Sequence, residues 1–533
     1  MVSREYDGLA GAGGVKDACC QLGEALASNG YAVSTVMPRY GFMDPVELGF
    51  SPLLLSGTRP GEICGYWFES CFDVDMNYPH AERREQVAIW HQVVNGVSLY
   101  LVEAWCYGEK QGVYTYTEEE EKKESWQHSG AGHFDYFAMN VLLQKVALEL
   151  MIFQGEQPWV IHCQDGHAAI LPAIMRETSG YRNYFRNSGA VVTIHNAGLG
   201  YHQEVADLEF ARAITGLPEH VIHGATLDDK FDPFLVAAKY AVLNTVSENY
   251  ARELQETTED FRTGWLGHTL VERGLFLRGV TNGIDPDAFN PEEPEKLGLA
   301  APFSIVHGDL AGKDECKKDL LANTHYLRQW ERVEQFGTLT NDAEKPLFTF
   351  IGRLTEQKGM SVVLGCMESF FMQQDVQLLI LGSGDAHMEG KIQQLCDHSA
   401  VRGRCCFLKG FDSKLANKAY AGGDFFLIPS WYEPCGLTDY MAQLLGNLPI
   451  VHHVGGLVKV LDEETGFAYT RNTPAELTSA MNRALTVFYN KPELHRMQQN
   501  AVETILARHT WQHVMHAYIE LYQEAHKRTL TAG

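Results

Sequence analysis

Short apolar runs of strand length recur along this chain, each followed by polar and glycine residues and then by a stretch with helical spacing. In the first half these runs are Tyr31–Val36, Trp159–Ile161, Val191–Ile194 and Ala241–Val246, separated by helical patterns such as Val15–Ala27 and Phe134–Phe153. A second series begins at Pro346 and contains Leu347–Ile351, Gln377–Leu381, Cys405–Leu408, Phe425–Ile428 and Pro449–Val451. Unbroken apolar runs suit strands covered on both faces, and strands that alternate with helices require parallel crossover connections. The chain is therefore α/β, with two Rossmann-like parallel-sheet domains. Single hydrophobic cores stop growing well short of 533 residues, an independent reason to expect two domains and a cleft between them.

On this reading residues 1–290 form the N-terminal domain and 346–510 the C-terminal one. Residues 291–345, which carry Pro291-Glu-Glu-Pro-Glu, connect them, and 511–533 form a closing helix with clear periodicity over Trp511–His526. The amino end poses a geometric question. The glycine loop Gly8-Leu-Ala-Gly11-Ala-Gly13-Gly14 needs a strand before it, and Met1-Val-Ser-Arg-Glu5 leaves about three residues to form one. Either that strand is very short or the true start lies upstream.

A net charge of −25 excludes a general nucleic-acid or anionic-membrane binder, because such surfaces need basic stripes. Any anionic substrate must be held by local cations. No apolar run approaches the roughly 20 residues of a membrane helix. Twelve cysteines without a CxxC pair, and no secretory segment, fit a reducing, cytoplasmic setting and argue against a zinc site. The run Glu118–Glu121 with Lys122 and Lys123 is a solvated charge cluster.

In parallel α/β domains ligands sit beyond the carboxyl ends of the strands, so the motifs that follow strands carry the functional weight. Gly11-Ala-Gly13-Gly14 offers bare amides and a helix start to a phosphate, or simply makes a tight turn. His162-Cys-Gln-Asp165-Gly-His167 and His195-Asn196 put polar side chains at strand ends, where helix capping by Asp165 is the plainer alternative. Gly352-Arg353-Leu-Thr-Glu-Gln-Lys358-Gly359 places two cations on one strand-to-helix loop, a pair suited to a diphosphate, although a surface salt-bridge loop has the same composition. Pro429-Ser-Trp-Tyr-Glu433-Pro-Cys-Gly436-Leu437-Thr438 groups a carboxylate with exposed amides, more than capping by Thr438 or a turn at Pro434 explains.

Taken in order, these strings resemble the glycogen synthase/starch synthase family over nearly the whole chain. His162–His167 is similar to the family's H-x-H-D-W-H, Val192–Asn196 to T-I-H-N, and Thr245-Val-Ser-Glu-Asn-Tyr-Ala251 to T-V-S-P-x-Y-A, with Gly279-Val-Thr-Asn282-Gly-Ile-Asp285 continuing the series. Gly352–Gly359 matches G-R-L-T-x-Q-K-G, Leu381–Asp385 matches L-G-x-G-D, and Glu433–Thr438 reproduces E-P-C-G-L-T. The resemblance implies the GT-B fold, two facing nucleotide-type domains. It implies a retaining glucosyltransferase that moves glucose from ADP-glucose to the nonreducing end of an α-1,4-glucan, without a metal or other cofactor.

Carried over residue by residue, it implies that Arg353 and Lys358 hold the diphosphate and that Glu433 lies beside the transferred glucose. His195 and Asn196 would contact sugar or phosphate from the other domain. Gly13 and Gly14, with the amides of Gly436, Leu437 and Thr438, would meet the donor, and Asp17, Asp165 and Asn282 would line the acceptor side.

Three departures stand out. The family pattern K-T-G-G-L-A-D-V puts a donor-binding lysine where this chain has Gly11, and Lys16 falls where that pattern has alanine. Gly166 replaces the tryptophan of H-D-W-H, and Val454-Gly-Gly-Leu-Val-Lys459-Val replaces T-G-G-L-A-D-T-V. They leave two further readings open: UDP-glucose as donor or a small acceptor, and a glucan-binding regulatory protein with impaired catalysis. Position 441 is Met, so the second glutamate that related nucleotide-sugar transferases place eight residues after the first is absent.

Overall fold

The computed structural model describes residues 1–531 and divides the chain into two compact units, Met1–Gly283 with Trp511–Gly533, and Ile284–Thr510. The residues read as a connecting region lie in the second unit, and the closing helix lies in the first.

In unit 1 a parallel layer runs in the order Arg278–Gly279, Val242–Thr245, Gly189–Ile194 and Val160–Gln164. Val2 continues it. Its amide donates to the His162 carbonyl at 2.9 Å, and its own carbonyl accepts from Gln164 at 3.0 Å. On the other side Ser3 donates to Val36 and Val36 to Met1, which joins the layer to Val33–Pro38 and Val97–Glu103. Before the glycine loop the chain is thus bridged to both neighbouring strands at Val2 alone, without forming a regular strand. Beyond Val97–Glu103 the sheet turns antiparallel through Arg84–Val94, Tyr66–Asp75 and Arg59–Ile63. These strands have mixed burial, unlike the wholly buried Gly189–Ile194, because they form an edge meander and not a central parallel layer.

The helix Trp511–Thr531 lays Tyr518, Leu521, Tyr522 and Ala525 against Val191 and Val242, together with Ala18, Leu22 and Leu26 of the helix Gly14–Ser28. Tyr136–Gln154 is the one described helix that is long and apolar enough to cross a membrane by length and composition. Within unit 1 it is a core helix, with Val141, Leu142, Leu143, Val146 and Leu150 buried.

Unit 2 is a seven-stranded sheet in the order Val333–Leu339, Arg404–Gly410, Gln377–Gly382, Leu347–Ile351, Phe425–Ile428, Leu448–His452 and Phe467–Tyr469. Only Val333–Leu339 runs antiparallel. One face packs on Met360–Gln373 and Pro474–Phe488 through Val363, Met367, Leu477 and Met481, the other on Ala311–Thr324 and Ser413–Gly422 through Leu320, Leu321, Leu415 and Ala419. Both faces are apolar, which is why its strands read as unbroken apolar runs.

Candidate active site

The unit 2 candidates gather at the carboxyl ends of Leu347–Ile351 and Phe425–Ile428. Leu347–Ile351 runs into the Arg353–Lys358 loop, and Phe425–Ile428 runs into the loop that carries Glu433. The loops interlock: Trp431 donates its amide to the Gln357 carbonyl at 2.9 Å, and the Gln357 amide group reaches the Tyr432 carbonyl at 3.3 Å. Lys358 Nζ then lies 2.5 Å from Glu433 Oε2, which also accepts the Ser430 hydroxyl at 2.9 Å. Burial opposes ionisation of Glu433, but the Lys358 ammonium and the Ser430 hydroxyl outweigh it and hold the carboxyl below its usual range. Arg353 is exposed, and its guanidinium has no acceptor among the described residues. The cluster is an anionic carboxylate with one tethered cation, and the same loop carries a second, uncommitted cation at Arg353, a set suited to a ligand that carries both phosphate and developing positive charge.

Gly436 has φ +72°, and Leu437 follows with φ −110° and ψ −27°. A left-handed residue followed by a right-handed one turns successive amides into one concavity, a nest for an anion or a hydroxyl oxygen. The amides of Gly436, Leu437 and Thr438 have no acceptor among the described residues.

In unit 1, Asp165, His195 and Asn196 are in direct contact. The Asp165 carboxyl accepts the His195 amide at 3.0 Å and the Asn196 amide at 3.5 Å, and burial pushes its pKa up to about 8. It shapes the loop after Gly189–Ile194 through the backbone. His195 Nε2 meets Gln164 Oε1 at 2.7 Å, so the ring carries its proton there, and burial lowers its pKa to about 3. His162 is set by its neighbours as well. The Thr193 hydroxyl donates to Asn244, so it accepts from His162 Nε2 at 2.7 Å, and His162 Nδ1 takes the Tyr522 hydroxyl at 2.9 Å. Asn282 is buried and accepts the Tyr518 hydroxyl at 3.4 Å.

The glycine loop is already partnered. Glu5 Oε2 accepts the amides of Ala12 at 2.7 Å and Gly13 at 3.1 Å, while Tyr114 donates to Glu5 Oε1 at 2.7 Å. Glu5 carried no signal in the sequence, because two of its partners are backbone amides and the third, Tyr114, lies 109 positions away. Lys16 curls back across Gly11, where a Cβ would stand 2.2 Å from Lys16 Cδ. Its ammonium lies 2.7 Å from both Asp7 and Asp17. The position of the family lysine is thus filled by the stem of another lysine whose charge is already balanced.

Gly166 is explained by a close approach. A Cβ there would lie 2.4 Å from the His202 carbonyl oxygen and 3.0 Å from that of Tyr201, so the backbone of that loop occupies the space a tryptophan would need. His202 is clasped between Asp232, 2.6 Å from Nδ1, and the Ala197 carbonyl, 2.7 Å from Nε2. Both partners accept, so the ring is an imidazolium, and although burial opposes its charge, Asp232 raises its pKa.

Among the described residues no three His, Cys, Asp or Glu side chains converge as metal ligands. An open cavity of about 230 Å³ lies at the amino end of Val242–Thr245, lined by Phe276, Arg278, Glu524 and Arg528, and includes none of the candidate residues.

The starch synthase catalytic domain family matches residues 1–268, and the glycosyl transferases group 1 family matches residues 331–504. The two α/β units are those of the GT-B fold, as in glycosyltransferases of group 1. A glycogen synthase of Aeromonas hydrophila is 28% identical over 98% of this chain and 97% of its own. One of Lacticaseibacillus casei is 30% identical over 80% of this chain and 82% of its own. The catalytic domain of starch synthase IV from Arabidopsis thaliana, solved with ADP and acarbose, shares the fold at TM-score 0.76 and 24% identity, covering 99% of this chain and 98% of that one. The chain belongs to the glycogen synthase/starch synthase family.

Proposed function

We propose that this enzyme transfers glucose from ADP-glucose to the nonreducing end of an α-1,4-glucan with retention of the anomeric configuration. The observation that carries this reading is the Lys358–Glu433–Ser430 cluster, with the exposed guanidinium of Arg353 on the same loop as Lys358 and the unpartnered amides of Gly436, Leu437 and Thr438 on the same loop as Glu433. A nucleoside diphosphate sugar has complementary parts. Its diphosphate pairs with Arg353 and Lys358, which take up negative charge as the nucleotide departs. Its glucosyl hydroxyls meet the amide nest. Glu433, ionised at neutral pH, stabilises positive charge at the anomeric carbon while the bond to the nucleotide oxygen breaks. Of the unit 1 residues, neutral His195 and the adjoining Asn196 are proposed to contact sugar or phosphate, and Gly13 and Gly14 to belong to the donor side. Asp17, Asp165 and Asn282 shape the acceptor side.

In the relatives' family the acceptor is a glycogen-like chain, and the same is proposed here. Adenine as the donor base rests on the family and on the ADP bound by the starch synthase of similar fold. The glycine loop favours a second reading, UDP-glucose as donor, because Gly11 removes a cation and Glu5 already holds two loop amides. Incorporation of radiolabelled glucose into glycogen, with ADP-glucose and UDP-glucose offered in parallel, tests both. Transfer from ADP-glucose supports the first reading and transfer from UDP-glucose alone supports the second. Glycogen binding without transfer from either would favour a regulatory protein.

A further inference from the structure

Lys459 stands where the resembled pattern has an aspartate, and its surroundings are unusual for a loop lysine. The side chain is 7% exposed. Its ammonium donates to the carbonyls of Cys435 at 2.6 Å, Gly436 at 2.7 Å and Gly456 at 3.2 Å, so that all three of its protons are engaged. It lies 3.1 Å from the fully buried carboxylate of Asp439 and 4.4 Å above the ring of Tyr440. The Gly456 amide in turn donates to the Glu433 carbonyl at 2.9 Å. One cation thereby ties the 455–459 turn to the backbone that begins at Glu433.

Two of those carbonyls fix the direction of two amides. No peptide bond among the described residues is cis, and in a trans peptide the C=O and the following N–H point to opposite sides. Drawing the Cys435 and Gly436 oxygens onto Lys459 turns the amides of Gly436 and Leu437 away from it. These are two of the three nest amides that lack an acceptor among the described residues. We propose that Lys459 is a positioning residue that aims the amide nest of Gly436 and Leu437 at the donor sugar nucleotide. The inference rests on the donor site proposed above. The ammonium also places positive charge behind the nest, where it adds to the pull on an anionic or electron-rich donor atom. Asp439 opposes that charge without replacing the carbonyl contacts.

The test is calorimetric titration of ADP-glucose into the full-length protein, alongside the glycogen KM and the thermal unfolding midpoint. Lys459→Met keeps the length of the side chain and removes its three donors. It should weaken ADP-glucose binding at least tenfold while leaving the glycogen KM within a factor of two, and Lys459→Arg should recover part of the loss. A folded Lys459→Met protein that binds ADP-glucose like the wild type overturns the proposal. Asp439→Asn, nearly isosteric, keeps the variant set informative if Lys459→Met fails to fold. Removing the opposing charge should tighten ADP-glucose binding about two- to threefold, whereas a tenfold weakening would show that the carboxylate, not the lysine, holds the loop. If the wild type binds no sugar nucleotide, the donor-site reading itself fails, a result distinct from wild-type binding that is insensitive to Lys459.

Discussion

Lys358 and Glu433 are 75 positions apart in sequence and 2.5 Å apart in space, at the ends of two neighbouring parallel strands. The pair links the cation expected to meet phosphate with the carboxylate expected to meet the sugar. A partly buried pair of this kind is sensitive to the loss of either partner, because the remaining charge is left without its counterpart.

Glu433→Gln should therefore lower kcat about 10²- to 10³-fold, the scale of losing one electrostatic contact to a transition state, with little change in glycogen affinity. Lys358→Ala should act differently. Without the ammonium, burial is opposed chiefly by the Ser430 hydroxyl, so the Glu433 pKa rises and the acid limb of kcat/KM moves to higher pH. Steady-state rates from pH 4 to 8 read both effects, and unchanged limbs in Lys358→Ala would show that Glu433 is not the titrating group.

His195 supplies a prediction about stability. Its folded pKa of about 3 lies below the ordinary value near 6.5, so the folded chain binds fewer protons than the unfolded one between those limits. Its contribution is complete above pH ~6.5 and is lost as pH falls toward 3. His195→Gln should flatten the fall of unfolding free energy across that window by up to about 1.4 kcal/mol per pH unit. Denaturant melts at several pH values measure the slope, and an identical slope would contradict the buried neutral ring. Asp165, raised to about 8, has the opposite sign and loses stability as pH climbs, which makes the comparison with wild type necessary.

Gly166→Ala should destabilise the protein by about 1–3 kcal/mol, since the added methyl meets a backbone carbonyl at 2.4 Å that cannot rotate away. Gly166→Trp, which restores the resembled motif, should be worse. Chemical denaturation tests this, and a neutral Gly166→Trp would mean that the Tyr201–His202 loop gives way easily.

Gly11→Lys by itself should fail to improve donor binding, because the new side chain collides with the stem of Lys16. Combined with Lys16→Ala it should gain, since the position is cleared and the new cation can reach outward. A charge-assisted contact of about 1.5–3 kcal/mol corresponds to roughly a ten- to hundredfold lower ADP-glucose Kd. Equal affinities in the double variant and the wild type would show that Lys16 already serves the donor despite Asp7 and Asp17.

The elements were legible to very different degrees. Leu347–Ile351 and Phe425–Ile428 appear with the bounds their apolar runs suggest, because a strand covered on both faces contains little else. Val160–Gln164 extends past the apolar run, since His162 and Gln164 are strand residues whose polar groups are satisfied by Thr193, Tyr522 and His195 on neighbouring elements. No local signal announces such partners. The antiparallel strands Tyr66–Asp75 and Arg84–Val94 went unread because they mix buried and exposed positions at the sheet edge.

By itself the sequence determined the fold class, the order of the strands' closing motifs and the residue types at each strand end, because hydrophobic period and glycine placement are local properties. Only the tertiary structure decided which groups those residues face. It put the Lys16 stem over Gly11, the His202 carbonyl against Gly166, the Glu5 carboxylate on the glycine-loop amides and the Lys459 ammonium on the carbonyls of Cys435 and Gly436. Each is a contact between a side chain or glycine and backbone brought near by packing. Backbone groups are the same at every position, so nothing in the one-dimensional string marks which of them will be met.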